Sequence, residues 1–285
     1  MRSTIAYACK CYNFNSIYIR LRIAYTGNIC YNFPDNYFQS VPKPAGSRYD
    51  TGESAEQGVS MKRCIISFSD KEILAEMLKR GYSCIGVKES GCVRAPISTH
   101  SDVLYLKVKD NEILASACQK ANFPMLEKAG YTVTAVDNFK PGYKTESYLN
   151  YIVCKDKIIC NQQTALITDT EKNIINVKQG YTRCSTIHVN DNAFITDDDN
   201  IYNTLISNGA DCLKVKKGEV KLSGYDYGFI GGASVKLNEE EILFFGDIKN
   251  QKDKTAVVEF LRKYNMKPLF IKNKQLTDIG SALIL

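Results

Sequence analysis

The clearest ordering of apolar and polar positions lies between Ser223 and Ile248, SGYDYGFIGGASVKLNEEEILFFGDI. Aromatic residues and glycines open it. An apolar run follows at 233–237, a polar connection at 238–241, and a second apolar run at 242–245. Two β-prone runs joined by a few polar residues predict a hairpin. The same unit recurs as VLYLKVKDNEILAS from Val103, LNYIVCKDKIICN from Leu149 and CSTIHVNDNAFIT from Cys184. Helix-like stretches lie between the hairpins, each followed by a further strand: 72–80 into 82–87, 115–129 into 131–136, 164–172 into 174–177, 201–208 into 211–215, and 254–264 into 268–271. The first of these has a capping pattern from Ser69, an apolar stripe at Ile73, Leu74, Met77 and Leu78, and Gly81 at its end.

Five helix-plus-strand segments thus accompany only four complete hairpins. The stretch 281–285 supplies the first strand of a fifth, and 64–68, ahead of the first helix, is the spare strand that completes it. The expectation is an α/β protein, a five-bladed β/α propeller closed by pairing its N-terminal and C-terminal strands, since closure removes exposed sheet edges. Residues 61–285 then form one domain. Residues 1–60 stand outside the repeat, rich in Tyr, Asn, Ile and Cys and ending in the linker-like PKPAGSRYDTGESAEQG. They are expected to be a disordered or non-native extension, with a functional arm as the competing reading and Met61 as the expected natural start.

Composition changes this picture little. A formal net charge of +6, from 37 basic and 31 acidic residues without long runs of either sign, does not indicate nucleic acid, whose binders cluster their Lys and Arg. No apolar run is long enough for a membrane span. The 11 cysteines include no C-x-x-C pair, and an odd number cannot all pair internally, so reduced thiols in a cytoplasmic protein are expected. Metal sites, phosphate cofactors and zinc find no motif. The oligomeric state is not legible.

The stretches VKQGYTRCST, YGFIGGAS, FFGDI and LTDIGSALIL resemble an uncharacterised bacterial, clostridial-type family of unknown function within the pentein, or guanidine-modifying-enzyme, superfamily. The resemblance covers about 61–285 and implies the pentein fold. Catalytic penteins gather a His and acidic residues on the central channel, and His100 and Asp102 in STHSD match that set in residue type; plain loop hydrogen bonding is the alternative. The superfamily's nucleophilic Cys belongs in the closing segment, where this chain has Gly280-Ser281 and no Cys after Cys212. That absence puts amidine-transfer chemistry in doubt unless Cys184 has taken over. Cys184 is the best nucleophile candidate because neighbouring Arg183 favours a thiolate, although a buried structural Cys is the competing reading.

Aligning the hairpins places Tyr105, Asn150, Ser185 and Ser234 at corresponding positions, a polar rim around an axis or, alternatively, the solvent face of each strand. Ligand contacts are expected from Asn150, Ser185, Ser234, Asp278 and Ser281, with backbone donors at Gly231 and Gly232. Two functions fit. One is a hydrolase or transferase, or a binder, acting on a small guanidino or amino-acid-like ligand in a central cavity. The other is a non-catalytic propeller binding a macromolecule, as the superfamily's ribosome anti-association factor does.

Overall fold

A computed structural model of the chain describes residues 62–285 in full and, at backbone level, residues 7–13, 16–22 and 28–32. The expectation for residues 1–60 therefore falls mostly outside the described residues. What is described there is β1 (Tyr7–Asn13), β2 (Ser16–Arg22) and β3 (Asn28–Asn32), an antiparallel sheet of their own.

From residue 62 one plan repeats. After β4 (Arg63–Ile66), α1 (Lys71–Lys79) leads to β5 (Ser83–Gly86), which runs parallel to β4. A short helix α2 (Ser101–Leu104) opens the first hairpin, β6 (Tyr105–Lys109) and β7 (Glu112–Ser116). A 3-10 turn at Ala117–Asn122 and α3 (Phe123–Lys128) then return the chain to β8 (Thr132–Val136), parallel to β7. Next come α4 (Tyr143–Glu146), the hairpin β9 (Ile152–Val153) and β10 (Lys157–Cys160), and β11 (Asn173–Asn176). The fourth unit is β12 (Thr186–Asn190), β13 (Ala193–Thr196), α5 (Asp199–Ser207) and β14 (Asp211–Lys214). The fifth is β15 (Ser234–Lys236), β16 (Glu241–Phe244), α6 (Gln251–Lys263) and β17 (Lys267–Phe270). Last, β18 (Ala282–Ile284) pairs antiparallel with β4, Ala282 opposite Ile66 and Ile284 opposite Cys64, so the spare strand near the start completes a sheet begun at the end.

The result is an α/β fold of five three-stranded mixed sheets from residue 62 onward. Local chemistry explains most elements. Asp70 caps α1 by accepting from the N–H groups of Glu72 and Ile73, and Asn250 does the same for α6 through Lys252 and Asp253, satisfying donors a helix start leaves open. Ile73, Leu74 and Met77 of α1, and Val257 and Leu261 of α6, form their buried faces.

Three expectations are corrected. Residues 164–172 form no helix: three Thr and an Ile are poor helix formers, and Leu166 alone with Ile167 makes no apolar stripe. Instead Leu166 donates its N–H to the Tyr148 carbonyl and accepts from the Tyr151 hydroxyl. The single helix expected over 115–129 is a strand end, a 3-10 turn and a short α-helix, the last beginning beside Pro124, which cannot supply an interior N–H. The third concerns thiols, because Cys92 and Cys118 form a disulfide across a Cα separation of 6.6 Å. An odd cysteine count excludes complete pairing, not one bridge. Gln119 reinforces that tie by bonding both the N–H and the carbonyl of Lys88, so the loop leading to residues 94–100 is held against the 3-10 turn at two points. Among the described residues no helix is long and apolar enough to cross a membrane.

Candidate functional site

The segments that enter the first strand of each sheet converge: β12 lies beside β15, β15 beside β18, and β18 beside β6. Residues just ahead of these strands therefore meet although far apart in sequence. His100 and Asp102 arrive through α2, whose start is pinned by two bonds to the Gly280 carbonyl, from the Asp102 N–H at 3.0 Å and the Ser101 hydroxyl at 2.9 Å. Asn150 precedes β9, Cys184 precedes β12 and Asp278 precedes β18.

Asn150 organises the centre. Its amide oxygen accepts from the backbone N–H of Arg183 at 2.9 Å and of Cys184 at 3.1 Å, while its Nδ2 reaches the Asp102 carbonyl and the Cys184 Sγ, each at 2.9 Å. The Cys184 thiol donates to Asp102 Oδ2 at 2.9 Å. His100 Nδ1 stands 3.9 Å from Asp102 Oδ1 and 3.8 Å from Asp278 Oδ1. Asp278 is held by the N–H groups of Phe229 and Gly280. All five side chains are buried, and Asp102 Oδ1 has no hydrogen-bond partner.

The electrostatics correct one expectation. Burial, followed by the charges of Asp102 and Asp278, pushes the Cys184 thiol well above its ordinary value. Arg183, whose guanidinium bonds the Tyr105 carbonyl at 2.9 Å from Nη1, interacts with the sulfur but does not overcome these effects. These effects favour the neutral thiol over the thiolate. Asp278 is likewise pushed up by burial, with His100 and the two backbone donors opposing and Asp102 adding to the shift.

Of the expected rim, Asn150 alone reaches this centre through side-chain bonds. The Tyr105 hydroxyl bonds Gln119 and Asn122, and Ser234 bonds the carbonyls of Ile230 and Gly231. Ser281 bonds the Ser234 carbonyl, and the Ser185 hydroxyl is buried without a partner. Gly232 gives its N–H to the Cys184 carbonyl at 2.9 Å. Gly231 and Gly232 matter sterically: a Cβ on Gly231 would meet the carbonyls of Arg183, Cys184 and Thr186, and one on Gly232 would run into the Asp278 carboxylate.

A second network went unread. Arg94 bonds the fully buried Glu146 through its N–H at 2.6 Å and Nε at 2.8 Å, and bonds the Tyr181 hydroxyl through Nη2; that hydroxyl donates in turn to Glu146. Burial raises Glu146, but these bonds, led by Arg94, bring it below its ordinary range. The network fixes the 180–183 loop that carries Cys184 into place. No local pattern announces a pair separated by 52 residues.

Asp197, just past β13, is also buried; Oδ2 accepts from the Ile230 N–H while Oδ1 has no partner, and burial pushes its carboxyl up to about 7. The folded protein therefore holds a proton between about pH 4 and pH 7 that the unfolded chain has lost, so this group lowers stability as pH rises through that window. Asp197→Asn is expected to stabilise the protein at pH 8 by about 1–4 kcal/mol and to leave it nearly unchanged at pH 4. Parallel melting curves for the two proteins across that range would contradict the assignment.

Residues 65–283 match the model of a family of unknown function, DUF6873. No curated protein matches the chain. Solved structures similar to it include an agmatine deiminase of C. jejuni with substrate bound, at 11% identity over 84% of this chain and 98% of that one, TM-score 0.49. An inosamine-phosphate amidinotransferase of Streptomyces griseus is similar at 11% identity over 74% and 77%, TM-score 0.48. The DDAH of Pseudomonas aeruginosa complexed with citrulline is similar at 9% identity over 79% and 99%, TM-score 0.44.

Proposed function

We propose that this chain, which belongs to the DUF6873 family of unknown function, is a five-bladed pentein-type propeller that binds a small guanidino cation between Asp102 and Asp278 and acts on it through Cys184. The observation that carries the reading is the unpartnered Oδ1 of the wholly buried Asp102, facing His100 and, beyond it, Asp278. A buried carboxylate oxygen without a hydrogen bond is costly, and burial, with the Asp102 charge adding to it, pushes Asp278 up. A planar cation with several N–H donors answers both problems at once. The five sheets and the pairing of β18 with β4 support the propeller.

The chemistry follows from the same charges. Burial, with the charges of Asp102 and Asp278 adding to it, favours the protonated thiol; a bound cation offsets those charges and makes the proton easier to remove. The proton passes to His100, by way of Asp102 Oδ2, already its hydrogen-bond acceptor. The sulfur then bonds to the amidino carbon, a carbon–nitrogen bond breaks, and His100 returns a proton to the departing amine. Water or a second amine resolves the carbon–sulfur bond and restores the thiol.

The test is a thermal-shift screen against arginine, agmatine, methylated arginines and citrulline. A guanidino ligand at about a hundred times its dissociation constant should add roughly 2.7 kcal/mol. A shift that Asp102→Asn abolishes is the expected result. The absence of a shift with every guanidino compound would remove the reading.

A further inference from the structure

Away from this centre, three donors of different chemistry meet between the second and third hairpins. Cys154 follows β9 and is buried; His188 lies in β12; Asp191 sits in the turn joining β12 to β13. The Cys154 Sγ is 3.6 Å from His188 Nε2, and that nitrogen is 3.9 Å from Asp191 Oδ1, with all three atoms mutually within 4.8 Å. We propose that Cys154, His188 and Asp191 bind one divalent transition ion of the zinc type, clipping the third sheet to the fourth and leaving one coordination position open to solvent.

The spacing carries the argument. Around a tetrahedral ion with metal–sulfur bonds of about 2.3 Å and metal–nitrogen or metal–oxygen bonds of about 2.0–2.2 Å, sulfur and nitrogen ligands stand about 3.6 Å apart, and nitrogen and oxygen ligands about 3.3 Å. The first separation is already present. The second needs a small adjustment of Asp191, the most exposed of the three, whose side chain is 51% accessible. At 3.9 Å the imidazole and carboxylate are too far apart for a hydrogen bond. One thiol, one imidazole and one carboxylate form a mixed donor set suited to zinc or cobalt and poorly suited to magnesium or calcium.

The surroundings hold the donors in place. The register of β12 against β13 slips between His188 and Asn190, a bulge that re-aims the strand. The His188 ring stacks on its cross-strand partner Phe194, with centroids 5.5 Å apart, and makes a backbone hydrogen bond at Asn190. Asp191 Oδ1 accepts from the Lys155 N–H at 3.0 Å, so the carboxylate is oriented from the Cys154 side. Partners of this kind fix ligands in metal sites. Sequence spacing concealed the group, because Cys154 and His188 are 34 residues apart and belong to different sheets.

Binding exchanges the thiol proton for the ion: the Cys154 S–H bond breaks, a sulfur–metal bond forms, and one proton leaves to solvent. Titrating the purified full chain, stripped of metal and kept reduced, with cobalt(II) is expected to give a thiolate-to-cobalt charge-transfer band, saturating at one ion per chain and displaced by zinc. Cys154→Ser should abolish the band and His188→Gln should weaken cobalt binding at least about tenfold, in line with loss of a metal ligand. Cys184→Ser should leave it intact. Two variants guard against misfolding, since each preserves a different donor, and circular dichroism checks each. No band in the wild-type chain, or an undiminished band in folded Cys154→Ser or His188→Gln, overturns the proposal.

Discussion

Cys184→Ser should retain nearly the full stability of the protein and lose at least about a thousandfold in turnover of any guanidino substrate identified by the screen. The serine hydroxyl can take over both bonds the thiol makes, donating to Asp102 Oδ2 and accepting from Asn150 Nδ2. It cannot take over the nucleophile's role, because a hydroxyl is a far weaker nucleophile unless a dedicated base activates it. Cys184→Ala separates the two contributions from the other side. Alanine leaves a buried carboxylate oxygen and a buried amide without those partners, so it should lower stability by about 1–3 kcal/mol as well as abolish turnover. If Cys184 were structural only, serine would restore activity along with stability. Because the thiol is held neutral by burial and two carboxylates, kcat/KM should climb as pH rises from neutral towards the thiol's own value. A pH-independent kcat/KM over that range would assign the limiting ionisation elsewhere.

Local periodicity made the hairpins and the capped helices legible. Gly81 ends α1 where the pattern placed it, the cap falls on Asp70, one residue after the Ser69 that opened the pattern, and the unmatched strand at 64–66 finds its partner at 282–284. The stretch 164–172 misled for the same reason that it folds as it does: its position in the repeat implied a helix, but its Thr-rich composition favoured long-range bonds to Tyr148 and Tyr151. His100, Asp102, Cys184 and Asp278 could be picked out as residue types, and the repeat located Asn150. Their electrostatics could not be read. The Cys184–Asp102 bond spans 82 residues, and its effect on the thiol is opposite to that of Arg183, the neighbour visible in the sequence. Serines at nearby alignment positions fail to join the centre because each finds its own backbone carbonyl or points elsewhere, a difference of one side-chain direction that an alignment uncertain by a residue cannot resolve.

Gly231→Ala is expected to have one of the largest effects on folding of any single methyl addition among the described residues. The new Cβ would overlap the Arg183 carbonyl and approach those of Cys184 and Thr186 to 2.6 Å. Backbone oxygens at the entrance to β12 cannot rotate away as a side chain can. Relief requires separating residues 230–232 from 183–186, which breaks the Gly232 to Cys184 bond and opens the packing around Ala233. Overpacking of this severity should cost more than about 3 kcal/mol, enough to leave little folded protein in a chain of ordinary marginal stability. Gly130→Ala is the matched control. Its φ of 93° is unfavourable for alanine, but nothing lies within 4 Å of the added methyl, so about 1–2 kcal/mol of backbone strain is the whole expected loss. Gly232→Ala should fall between them in stability yet lose the guanidino-induced shift entirely. Its Cβ meets the Asp278 carboxylate, a side chain that can swing aside only by releasing the N–H groups of Phe229 and Gly280 and leaving the cation site. Denaturant melts of the three variants should rank Gly231→Ala below Gly232→Ala below Gly130→Ala. A Gly231→Ala protein as stable as the Gly130→Ala control would mean that residues 230–232 do not pack against the Cys184 strand as described, and the route by which Gly232, Asp278 and Cys184 are brought together would have to be redrawn.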